Sequence, residues 1–223
     1  MTRKGMFEEI FQLLQESIQK AEQFENEKEE IWEKDSTFYT DEWKTLKTKE
    51  ASDRCFVDSY ETGQKIVELL KRISEDVFTE KLDMSSQALN NALLTINLTE
   101  INYNQQIMIA ESFKGDMAAL ELLKSAFLNK YGENGKSPEG FEKFIVDPGD
   151  MTYLIGNVQE VFPEYHDASG WIPRTTMSYE YKRLADKIKN IVITLGVDIS
   201  EEKMKIVLNE KSMEQVARAA MGL

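Results

Sequence analysis

Between Asp83 and Gly132 apolar residues return at helical intervals: Leu89, Leu93 and Ile96, then Ile107 and Ala110, then Leu120, Leu123, Phe127 and Leu128. Steps of three and four residues put each set on one helix face, so the pattern predicts three amphipathic helices. Thr99 is the expected N-cap of the second, and Gly115 followed by Asp116 reads as a left-handed C-cap handing over to an N-cap carboxylate. Helices this short bury their apolar faces against one another or a neighbour, which makes this segment the expected core. A second pattern covers residues 5–33, where Phe7, Ile10, Leu14, Ser17, Ala21, Phe24, Lys28 and Ile31 follow heptad spacing. Glu22, Glu25, Glu27, Glu29, Glu30 and Glu33 lie between them. The apolar members Phe7, Ile10, Leu14, Ala21, Phe24 and Ile31 form a seam with two uses: packing on the next helix of the same chain, or a coiled coil between subunits.

Thr40 with Asp41 and Glu42 reads as a helix start, and the helix is expected to run to about Phe78, burying Trp43, Leu46, Val57, Tyr60, Val67 and Leu70. A short connection makes an antiparallel hairpin with the first helix the natural geometry. Gly132, Gly135, Pro138, Gly140, Pro148 and Gly149 then mark a hinge, anchored by Phe141, Phe144, Ile145 and Val146. Asp150 is the expected cap of a helix through Val161, and Pro163 to Pro173 is irregular. Tyr181, Leu184, Ile188, Ile191, Val192 and Leu195 give an apolar face that stops at Gly196. Asp198 with Glu201 and Ser212 with Gln215 match capping boxes, predicting helices over 200–209 and 213–221. The fold class is therefore all-α, in three parts: a long helical hairpin over 1–80, a central core over 83–132 and a C-terminal helical subdomain over 141–223.

The chain has 223 residues, 41% apolar and 30% charged, with four prolines and eleven glycines. That suits one or two domains with a substantial core. A formal charge of −13 disfavours a nucleic acid as partner, since phosphate binding needs clustered Lys and Arg. Cys55 is the sole cysteine, which excludes an internal disulfide and a multi-cysteine zinc site. Glu8 and Glu9 interrupt what would be the apolar region of an export signal. No stretch approaches the roughly 18 apolar residues a membrane span requires.

Candidate chemistry is sparse. His166 beside Asp167 lacks neighbours for a metal or acid/base site, and acids around Cys55 raise the pKa a nucleophile would need lowered. No glycine-rich phosphate loop or GxSxG elbow occurs. Glu29, Glu30 and Glu33 spell EExxE, and Glu50 and Asp53 spell ExxD. Their order is similar to that of the all-helical nucleoside triphosphate pyrophosphohydrolases of the MazG and dimeric dUTPase type, and the resemblance implies magnesium held against a triphosphate. The tail LGVDISEEKMKIVLNEKSMEQV is similar to the C-terminal helices of nucleotide-sulfate-dependent sulfotransferases, but no phosphate loop precedes it.

A broader likeness covers residues 5–132. The acidic helical start with YTDEW, then ALNNALLTINL, then ESFKGDMAALELLKSAFLNKYG, resembles proteins encoded among the head genes of phages and prophages of Gram-positive bacteria. The resemblance implies a virion structural or assembly role, in the cytoplasm of a bacterial host or in the virion, and no catalytic residues. The expectation is a non-catalytic oligomeric interaction protein that contacts itself and other assembly proteins, with no cofactor, membrane or nucleic acid. The pyrophosphohydrolase is the first alternative, and an acidic inhibitor that mimics nucleic acid is the second.

Overall fold

The computed structural model describes residues 1–79, 82–83, 85–132, 140–162 and 177–206, with positions 213 and 217. Among these the fold is all-α, without a strand. No helix among them is long and apolar enough to cross a membrane. His166, Asp167, Ser212, Gln215 and the expected helix over 213–221 lie outside the described residues, apart from positions 213 and 217.

The organising element is α1 (Arg3–Trp32), started by Thr2, whose hydroxyl accepts from the Gly5 N–H at 3.2 Å. Its apolar stripe of Phe7, Ile10, Phe11, Leu14, Ile18, Ala21 and Phe24 is buried along nearly its whole length. Two layers cover it. On one side α2 (Asp41–Phe56) and α3 (Ser59–Phe78) return antiparallel to α1. The sequence of pairings shows the direction: Trp32 with Thr48, Glu27 with Arg54, Lys20 with Asp58, Glu9 with Lys65 and Arg3 with Asp76. On the other side α8 (Met177–Thr194) and the single turn α9 (Glu201–Met204) pack on α1, from Ser178 against Glu25 to Lys203 against Glu8.

The helix expected to run unbroken to Phe78 is two helices, parted at Val57 and Asp58. The Lys20 ammonium donates to both Asp58 oxygens, at 2.8 and 2.6 Å, and fastens the joint to α1. The expected burial also differs. Val67 and Leu70 are inside, but Leu46, Val57 and Tyr60 are exposed, and α2 buries Lys44, Thr48, Ala51, Ser52, Cys55 and Phe56 instead. The buried face of α2 lies about one residue round from the one its large apolar residues mark.

The segment expected as the core is a flank. Of α4 (Gln87–Leu98) only Leu89 and Ile96 are buried. It packs on α6 (Met117–Tyr131), which carries Leu120, Leu123 and Phe127 into the interior. Thr99 closes α4 rather than opening α5 (Tyr103–Ser112). The N-cap is Asn102, which forms a reciprocal capping box with Gln105 at 2.8 and 3.0 Å. Asp116 caps α6 through the Ala119 N–H at 2.8 Å, as expected.

Beyond the hinge, Phe141, Phe144 and Val146 are buried around a 3-10 turn at Phe141–Phe144. The cap of α7 (Pro148–Val161) is Asp147, not Asp150, because Pro148 takes the first helical position, where a missing N–H costs nothing. At α9 the N-cap is Ser200, so the Asp198 and Glu201 box does not form. α7 packs on α3 and α8, and Phe162 stacks on Tyr181 with ring centres 4.6 Å apart. One continuous cluster of buried residues runs from Met6 to Ile206 and includes all three of the expected segments. The C-terminal helices complete the cover of α1 and α3.

Candidate interaction surfaces

The six seam residues are placed by α1, and five of them, Phe7, Ile10, Leu14, Ala21 and Phe24, are inaccessible within the single chain. Ile31, in the last turn, is partly exposed. The seam therefore meets α2, α3 and α8 of its own chain, and docking of another molecule there would require the bundle to open.

The acidic motifs do not assemble a metal site. Among the described residues no three His, Cys, Asp or Glu side chains gather as ion ligands, Glu29, Glu30, Glu33, Glu50 and Asp53 included. Glu50 instead pairs with Lys47 at 2.6 Å. Other acids tie helices together, as Asp58, Glu27, Glu9, Glu8 and Asp76 do with Lys20, Arg54, Lys65, Lys203 and Arg3. Cys55 is buried, and burial first, then Glu27, pushes its thiol pKa up. It is a packing residue.

Three charged side chains act at the ends of other helices. Glu25, buried, accepts from the Ser178 N–H at 3.0 Å and the Ser178 hydroxyl at 2.8 Å, placing a carboxylate at the positive end of α8. Lys44, also buried, donates to the Trp32 carbonyl at 3.2 Å, at the negative end of α1, which has no basic residue in its own last turn. Lys130 of α6 donates to the Ile96 and Thr99 carbonyls, at 2.7 and 2.6 Å, at the end of α4. Each joins two separate elements and satisfies groups the helix itself leaves open.

Three features of the described surface bear on contact with other molecules. The first is the turn between α1 and α2, where Phe38 is 80% and Trp32 46% exposed. Tyr39 and Trp43 stack beside them at 4.6 Å, with the Lys34 ammonium 5.4 and 5.0 Å from the two ring centres. Asp35 accepts from the Thr37 N–H at 2.7 Å, which holds the turn and lowers the Asp35 pKa. The second is a cavity of about 290 Å³ between α7 and α8, lined by Ile145, Leu154 and Ile191, with Tyr153 and Lys187 at its edge. Lys187 donates to Asn157 at 2.8 Å.

The third feature is α4 with α5. Between Asp83 and Glu111 the sole charged residue is Glu100, in a chain that is 30% charged. Leu94, Leu98, Tyr103 and Met108 on these two helices are 55%, 77%, 48% and 68% exposed. Periodicity pointed to the buried side of α4; the missing signal was the absence of charge. Comparison of the chain with known protein families, curated proteins and solved structures finds no match.

Proposed function

We propose that the chain is a non-catalytic interaction protein that works as an oligomer, in the assembly or structure of a phage particle. The observation that carries this reading is the apolar surface a single chain leaves open: Trp32 and Phe38 face water beside the Tyr39–Trp43 pair in the turn at one end of α1, and so do Leu94 and Leu98 on α4. Aromatic side chains are costly to leave in water and are favoured anchors at protein contacts. Lys44 and Thr48 hold the base of this turn from α2, through the Trp32 carbonyl and the Trp32 indole N–H, so the display is built rather than loose. The likeness of residues 5–132 to phage head-gene proteins supports the assembly setting.

Sedimentation velocity over a micromolar concentration range tests the reading. A mass above one chain that rises with concentration is expected. A monomer throughout, or a melting temperature raised by magnesium with a nucleoside triphosphate, overturns it.

A further inference from the structure

Resting on the reading of the chain as self-associating, we propose that the exposed face of α4 is the surface on which a second copy of this chain docks. On α4 the exposed residues Gln87, Asn91, Leu94 and Leu98 follow one another at steps of four, three and four, the spacing of a helix–helix seam. The opposite side carries Leu89 and Ile96 into the chain's own interior. α4 is thus apolar on two sides and covered on one.

Charge selects the occupant. Each molecule carries −13, so two copies repel wherever their acidic faces meet. On the exposed face of α4 that repulsion is low, because no residue of α4 is charged. A strongly charged partner would find nothing to pair with there, whereas a two-fold axis brings the same neutral face of a copy against it. Leu94 and Leu98 then supply apolar contact, and Asn91 and Gln87 supply uncharged hydrogen-bonding groups.

The test is sedimentation equilibrium on the full chain and on Leu94→Glu, Leu98→Glu and Phe38→Glu. All three side chains are exposed, and circular dichroism checks that helicity is retained. The wild type is expected to dimerise reversibly and more tightly as salt rises, since screening relieves repulsion between the copies. Each α4 variant is expected to weaken the dimer at least about tenfold, and Phe38→Glu to leave it unchanged. A wild-type oligomer that Leu94→Glu and Leu98→Glu do not weaken, or that Phe38→Glu dissolves in their place, overturns this assignment while self-association stands. A wild-type monomer at every concentration overturns both.

Discussion

Burial of Tyr181 pushes its phenol up to about 12, and the bond to Ser59 at 3.3 Å only partly offsets this. Because the fold favours the neutral phenol, the unfolded chain ionises first, near pH 10. This contribution to stability is complete below pH 10 and is lost as pH rises towards about 12, at roughly 1.4 kcal/mol per unit. Tyr181→Phe should be less stable at neutral pH by about 1 kcal/mol, through the lost hydrogen bond, and should lack that alkaline slope. Urea melts of both proteins from pH 8 to pH 12 check both effects. Glu25 has a separate consequence. Glu25→Ala strands the Ser178 N–H and hydroxyl, which are buried, and should cost roughly 1–3 kcal/mol. Glu25→Gln keeps an acceptor and should cost less, and an unchanged urea midpoint for Glu25→Ala would show that α8 is capped without it.

At the scale of helices, the meeting of α3 with the end of α7 is set by Gly63. A Cβ there would overlap the Phe162 Cβ, inside the distance that non-bonded carbons keep. Gly63→Ala should therefore destabilise by about 1–3 kcal/mol, although alanine is the better helix former. Calorimetry of Gly63→Ala, of Phe162→Gly and of the pair checks this, because with no Cβ at position 162 the added methyl meets no clash and the pair should lose less than the two single losses together. Sequence signals that act within one turn were legible: Thr40, Asp116 and the left-handed glycines Gly115 and Gly196 stand where their chemistry places them. The parting of α2 and α3 was not, since the chain has neither glycine nor proline there and the stripe through Cys55, Gly63, Ile66 and Leu70 keeps helical spacing across it. The face of α2 was misjudged because small and polar residues, not its Trp43 and Leu46, fit between two helices. Caps supplied by Glu25, Lys44 and Lys130 carry no local signature, because each partner lies on another element. The neutral α4–α5 stretch was present in the composition, but an absence of charge has no motif.

For the molecule as a whole, one buried cluster means that Cys55 should report on global opening. Its thiol, buried with a raised pKa, should react with a disulfide reagent only as fast as the bundle exposes it. Labelling followed against urea concentration should track the loss of helix signal, and fast labelling in native buffer would mean that α2 lifts from α1 independently. The pairing of Glu25 with Ser178 spans 153 positions of the chain. During synthesis at about 5–20 residues per second, α1 therefore leaves the ribosome many seconds before α8 exists to shield it. The nascent chain must keep this long apolar stripe from sticking to other molecules through that interval. A ribosome stalled between these two helices would release a fragment fit for a chaperone or a protease.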